Sequence, residues 1–493
     1  MCMDACKSKV WDDQRQRDLK AFGKWLRPEV IDQAARNAGV RVGCGPLQLG
    51  NLVWLAVASA WHGGKNFAGI LVLVLKLLRD APGWQASSLA TLQRRGRHKA
   101  RAQKRHKHDP RGQDPTLVSE EAFVQARHKM PWGFWIALLV LLTDSFERVH
   151  GERACWKGFR LLALDGTLIA LPGWKKLAAY FGTKSSGSQR RQKTMARLIM
   201  IQMPLVRMPW RYELTPVREA ESHVAARLLV DLRANDLLLM DRGFWSYGLF
   251  CQIERQGAFF ATRLKAGVRL RTLQKLGRDE RLVHYEPVDW RKKWKKQGCP
   301  KALSLRVITY QIKGFRPSAV VTNVRCPQAI TREEWVRMAV VDDAGRVLEP
   351  GLYHRRWEIE TTFAELKVIQ GMEGQLRSRT PQGIRFEVAG HVLLYLLVRW
   401  LMVEAAEKAG SDDPLRLSFK GALQELQDMQ QTLLHATPER ARTVLLPRLL
   451  DRIASHAVPV RPGRHYARPR DHYAKPGYKK RFKTSRREKI KPT

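Results

Sequence analysis

Two apolar runs that each carry a single aspartate constrain the fold of this chain more than any other feature. Leu237-Leu238-Leu239-Met240 closes on Asp241 without polar alternation, the pattern of a short strand buried on both faces of a sheet. Leu161 to Ala170 holds Asp165 inside an apolar stretch, where a carboxylate is costly unless paired or bound to a cation. Phe159 to Pro172, Thr194 to Val206 and Trp210 to Val217 all read as strands. Helical periodicity follows over Glu219 to Leu232, then the run ending at Asp241, then a helix from Ser246 to about Gln256. Strands followed by alternating helix and strand predict an α/β fold, a mixed sheet with flanking helices. Functional groups in open α/β sheets gather at the carboxyl ends of strands. Taken singly, each aspartate also fits a strand-end carboxylate paired with a neighbouring base; for Asp241 that base is Arg242.

The rest of the chain divides by texture. Residues 1–130 read as a helical N-terminal domain, with helices at Pro28 to Gly39, Leu47 to Trp61 and Phe67 to Leu78. A cationic block follows over 94–107, with Arg94, Arg95, Arg97, Lys99, Arg101, Lys104, Arg105 and Lys107 and no acid before Asp109. Residues 155–257 carry the α/β pattern and 258–345 several β-like runs. From 346 the chain turns helical, through 346–410 and a C-terminal region at 411–458. The tail at 459–493 is basic and cannot bury a core, so disorder is expected there.

Charge narrows the function. Of 493 residues, 88 are Lys or Arg against 46 Asp or Glu, a net +42, and such a field draws polyanions, above all nucleic acid. The clustering in 94–107 predicts phosphate contacts there. Seven scattered cysteines without a Cys-x-x-Cys pair argue against a disulfide framework or zinc site. The acids Asp4, Asp12 and Asp13 do not suit a signal peptide. The apolar runs 134–143 and 391–398 fall short of the roughly 20 residues that span a bilayer. A soluble, cytoplasmic protein with no membrane partner is expected.

A third acid comes from helical geometry. Between Tyr353 and Lys367 the chain offers Glu358, Glu360 and Glu365. At about 100° per residue, Tyr353, Arg356, Glu360 and Lys367 fall within roughly 60° of one another, while Glu358 and Glu365 point well away. One acid is thus embedded among phosphate-binding groups. An ordinary Arg356–Glu360 ion pair explains the charges, but not the two strand aspartates upstream.

The pattern Tyr-x2-Arg-x3-Glu-x6-Lys from Tyr353 to Lys367 resembles the signature of bacterial insertion-sequence DDE transposases of the insertion-sequence-four type. Leu164-Asp165-Gly166-Thr167 looks like their first aspartate motif and Asp241-Arg242-Gly243-Phe244 like their second. Leu376-Arg377-Ser378-Arg379-Thr380-Pro381 and Leu417-Ser418-Phe419 are similar too, in the correct order. The resemblance covers about 155–430. It implies an RNase H-like core in two parts, 155–257 and 346–410, interrupted by a mainly β insertion at 258–345. It further implies catalysis and metal binding by Asp165, Asp241 and Glu360, and contacts to the element's DNA end by Tyr353, Arg356 and Lys367. Family members can hold a flipped base on a Trp in the insertion, for which Trp335 is a candidate.

Three carboxylates favour hard divalent cations, Mg²⁺ with Mn²⁺ able to substitute. The implied reaction is cleavage of double-stranded DNA at transposon ends and strand transfer into target DNA, by a homodimer in a synaptic complex. Two rivals share parts of the evidence: an RNase H-fold nuclease that cuts without joining, and a non-catalytic nucleic-acid-binding protein.

Overall fold

The computed structural model describes residues 20–40, 47–63, 120–185, 192–311, 317–337, 340–341, 347–348, 351–411 and 413–458. The helix expected at Phe67 to Leu78, the basic block 94–107 and the tail lie outside them.

The apolar runs form strands as their composition requires. Nine of the strands of an eleven-stranded sheet are β1 (Phe159–Ala170), β2 (Gln192–Met203), β3 (Met208–Pro216), β4 (Asp236–Met240), β5 (Phe259–Arg263), β6 (Arg271–Lys275), β7 (Glu280–Tyr285), β8 (Leu303–Tyr310) and β9 (Ser318–Thr322). Their spatial order is β3–β2–β1–β4–β5–β9–β8–β7–β6. β4 runs parallel to β1 and to β5, and the other pairs on this path are antiparallel. All five residues of β4 are buried, as expected of a strand covered on both faces. The β-like stretches after 258 do not form a separate sheet, because β5 pairs with both β4 and β9.

Helices cover this sheet. In the N-terminal part are α1 (Pro28–Asn37), α2 (Leu49–Trp61), α3 (Glu120–His128) and α4 (Trp132–His150). Two short helices, α5 (Lys175–Phe181) and α6 (Glu221–Leu228), follow β1 and β3, and α7 (Tyr247–Arg255) follows β4. The long helix α9 (Pro381–Lys408) comes after α8 (Glu358–Ala364) and runs through the core, with α10 (Phe419–His435) and α11 (Leu446–Ser455) beside it.

The start of α9 is fixed by Thr380, whose side chain accepts a hydrogen bond from Gly383 N, and by Pro381 in the first turn. This helix is longer than the apolar run 391–398 suggested: it is long and apolar enough to cross a membrane, yet its apolar stretch is wholly buried in the fold. Its crossing with α2 is close. A side chain at Gly390 would place a Cβ 2.2 Å from the carbonyl oxygen of Ala56, so only glycine fits there.

Candidate active site

The parallel pairing of β1 with β4 sets the first two acids side by side. Leu164 is opposite Met240 in the register, so Asp165 and Asp241 each follow one end of the same rung. β4 stops there, whereas β1 continues to Ala170 against β2, which leaves Asp165 inside a strand rather than at its end. The Asp165 carboxylate accepts from Gly166 N at 2.7 Å. Asp241 caps the turn Arg242–Phe244, accepting from Gly243 N at 3.4 Å. Arg242 forms no ion pair with it among the described residues.

Glu360 arrives from a segment that is not one uniform α-helix. Leu352–Trp357 is 3-10, Glu358–Ala364 is α8, and Glu365–Ile369 is a π turn. The idealised 100° spacing therefore applies only in part. It still sorts the three acids correctly. Glu360 shares a side with Arg356, whose Nη2 lies 3.2 Å from Glu360 Oε1. Glu358 and Glu365 turn away and are both held by Arg207, Glu358 at 2.6 Å and Glu365 at 3.3 Å. Glu365 is buried, also receiving Tyr395 Oη at 2.6 Å and the buried Arg399 guanidinium.

Arg356 is the hinge of the arrangement. It is buried, and its Nη1 lies 3.3 Å from Asp165 Oδ2 while Nη2 holds Glu360. The Asp165 carboxyl is pushed up to about 6, mainly by burial, with smaller upward pushes from Glu360 and Asp241, while the Gly166 amide and Arg356 pull against the rise.

The remaining signature residues are placed otherwise than DNA contact alone would require. Tyr353 is buried and donates its hydroxyl to the carbonyl of Met240 at 3.1 Å, tying the segment that carries Glu360 to the end of β4. Burial pushes its phenol up, so it stays a donor. Lys367 Nζ donates to Leu168 O at 2.9 Å and sits 3.2 Å from Glu373. Trp335 is fully buried, with its backbone against Gly351, and offers no ring for an incoming base. The basic block 94–107 lies outside the described residues.

Sequence reasoning missed one acid. Glu221, at the start of α6, reaches the same side of the sheet: a Cβ built on Gly243 would stand 3.9 Å from both Asp241 Oδ2 and Glu221 Oε2, and one built on Gly166 would stand 3.8 Å from Glu221 Oε1. Arg197 Nε balances it at 3.1 Å. Its position straight after the third strand was the available signal.

Comparison with known proteins decides the family. The profile described as "Transposase DDE domain" matches residues 156–397, the span that holds all three acids. The chain is 27% identical over 360 residues to the transposase InsG for insertion sequence element IS4 of Escherichia coli (strain K12), covering 69% of this chain and 72% of that protein. Residues 156–397 carry a DDE transposase domain. The sequence resemblance to the insertion-sequence-four type thus holds, and the function is that of a transposase. The transposase also aligns with the piggyBac transposase in a synaptic complex with hairpin DNA, at 11% identity and a TM-score of 0.39, over 93% of this chain and 88% of that one.

Among the described residues, no three His, Cys, Asp or Glu side chains are gathered closely enough to hold a metal ion as they stand. The donor chemistry nevertheless suits one. The three acids are carboxylates, the ligands preferred by Mg²⁺ and Mn²⁺.

Proposed function

We propose that Asp165, Asp241 and Glu360 are the catalytic and metal-holding residues of a transposase that cuts the ends of an insertion sequence and joins them to target DNA. The observation that carries this reading is Arg356 lying between Asp165 and Glu360 next to the Leu164–Met240 rung that Asp165 and Asp241 follow, which ties together acids 195 positions apart in the chain. The strand order β3–β2–β1–β4–β5, with only β4 and its neighbours parallel, supports an RNase H-like core, with β6 to β9 as the β-rich insertion.

Divalent cations held by the three carboxylates would activate the attacking oxygen and stabilise the leaving one. The chain's own residues do the rest. Tyr353 fixes the catalytic segment on the end of β4, and Lys367 clamps it to β1 at Leu168. Arg356 keeps two of the acids oriented and offers charge to a phosphate once they are otherwise neutralised. In the proposed sequence, water cleaves a phosphodiester at the element's end and frees a 3′-hydroxyl. That hydroxyl then displaces a 3′-oxygen in target DNA. The partner is double-stranded DNA, bridged by a homodimer, with the 94–107 block and the tail adding sequence-tolerant phosphate contacts.

The test uses the full chain, Mg²⁺, and duplexes carrying the inverted repeats that flank its coding DNA. Cleavage and end-joining are expected, both lost in D165N, D241N and E360Q while end binding survives. Cleavage without any joined product would instead favour a nuclease, and unchanged activity in all three variants would remove the acids from catalysis.

A further inference from the structure

Behind the segment that carries Glu360, on the face turned away from Asp165, lies an arginine in an unusual backbone conformation. Arg207 is one of three described non-glycine residues with positive φ, at 49°. It ends the four-residue turn 204–207 between β2 and β3, where Met203 pairs with Met208. Glycine or asparagine takes such a left-handed position at little cost, whereas a long side chain crowds its own carbonyl there. Backbone strain of this kind gathers at functional sites.

The Arg207 guanidinium reaches two acids of that segment. Nε donates to Glu358 Oε2 at 2.7 Å, with Nη2 2.6 Å from the same oxygen, and Nη1 donates to Glu365 Oε1 at 3.3 Å. Seven residues make about two turns of α-helix, so Glu358 and Glu365 stand on one face of α8 and its continuation. Glu360 is turned about 200° from Glu358, toward Arg356 and Asp165. Arg207 thus spans from behind the two turns that present Glu360.

Glu365 is also the residue at which the α-helix gives way to the π turn Glu365–Ile369. A π turn takes an extra residue into its hydrogen-bonded ring, so the place where it begins sets how Lys367 is turned relative to Glu360. Charge balance does not depend on the clamp. Glu365 Oε2 is bonded independently by Tyr395 Oη and by Arg399, and Glu358 is 18% exposed and reaches water. What Arg207 adds is the rotational setting of the segment.

We propose that Arg207 is a positioning residue for Glu360: by bridging Glu358 and Glu365 it holds the segment at the rotation that aims Glu360 at Asp165. The fork matters as much as the charge, because a lysine reaches one of the two carboxylates and not both. The proposal rests on the reading of Glu360 as a catalytic residue given above.

The test compares the full chain with R207M, R207K and R207G. R207G removes the clamp and relieves the left-handed backbone, which offsets lost contacts and keeps a folded variant in hand. Hydrogen exchange is measured first, without DNA or metal. In R207M and R207G the amides of 359–368 should exchange at least about tenfold faster, with those of β1 and β4 unchanged. Cleavage of duplexes carrying the inverted repeats should then fall in kcat by about tenfold or more, since small misplacements of a reacting group are costly. The affinity for those duplexes should stay within about twofold, the Mg²⁺ concentration for half-maximal cleavage should rise several-fold, and R207K should recover part of each loss.

Unchanged exchange in R207G would overturn the clamp. Faster exchange with unchanged kcat and Mg²⁺ requirement would make Arg207 structural only, and so would loss of cleavage and binding in parallel. Wild-type cleavage in E360Q would instead overturn the catalytic reading, whatever the exchange of R207G shows. Lost cleavage in E360Q beside full cleavage in R207G would overturn the positioning role alone.

Discussion

Arg356 and Asp165, 191 positions apart, face one another at 3.3 Å, and the same guanidinium reaches Glu360 on its other side. The pair makes Arg356 part of the acid constellation rather than a free arm for DNA. Among the influences on Asp165, Arg356 lowers its carboxyl from the value to which burial raises it. In R356Q that pull is gone, so the Asp165 carboxyl should titrate above about 6. Only the ionised form holds a cation, and the acid limb of the pH–cleavage profile should therefore move to higher pH. An R356K variant, keeping the charge without the fork, should move it less. A profile identical to wild type would show that the two groups are not coupled in the working enzyme.

Glu358 and Glu360 separate chemistry from architecture. Glu360 is 41% exposed in its side chain, and its one ion pair among the described residues is with Arg356. E360Q should abolish Mg²⁺-dependent cleavage while changing unfolding free energy by less than about 1 kcal/mol. Glu358 is held by Arg207 at 2.6 Å. E358Q should cost about 1 kcal/mol in a denaturant titration and leave cleavage within a few-fold of wild type. Equal loss of cleavage in both variants would remove the distinction.

This contrast shows how far the sequence could be read. The sorting of Glu358, Glu360 and Glu365 survives because side-chain direction depends on local backbone turn, and a mixture of 3-10, α and π turns perturbs it only modestly. The strands around Asp165 and Asp241 were legible for the same reason: burial on both faces writes itself into consecutive apolar residues. Partners distant in sequence were not legible. Nothing local tells that Arg207, in the turn between β2 and β3, bridges Glu358 and Glu365, or that Glu221 reaches toward Asp241. Trp335 suited base capture by type and position, yet burial depends on packing that one segment does not encode.

The Arg399–Glu365 pair should be the costliest interaction to break near the site. Arg399 is 1% exposed, inside the long apolar helix, and Glu365 is 6% exposed. Removing one partner strands the other charge in the core, typically a loss of about 3–5 kcal/mol. R399M should unfold at markedly lower denaturant concentration, and E365M/R399M should recover much of the loss. Because Tyr395 and Arg207 also bind Glu365, recovery should be incomplete. If the double variant is no more stable than R399M, the pair is not the source of the cost.

Asp165 itself should weaken the fold at neutral pH, as a residue kept for function does. Its carboxyl moves from an ordinary 3.8 up to about 6, mainly through burial. Below the ordinary value both folded and unfolded chains carry the proton, and there is no penalty. As pH rises from 3.8 to about 6 the unfolded chain loses its proton first, so stability falls across that window and stays reduced above it. The full shift corresponds to about 3 kcal/mol, with the opposing pull of Arg356 already inside it. D165N carries no charge at either end. Its unfolding free energy should exceed wild type by about 1–3 kcal/mol at pH 7.5 and match it near pH 4. Addition of Mg²⁺ should stabilise wild type at pH 7.5 and leave D165N unchanged. A D165N variant less stable than wild type at pH 7.5 would mean that the Arg356 contact outweighs the burial of the charge.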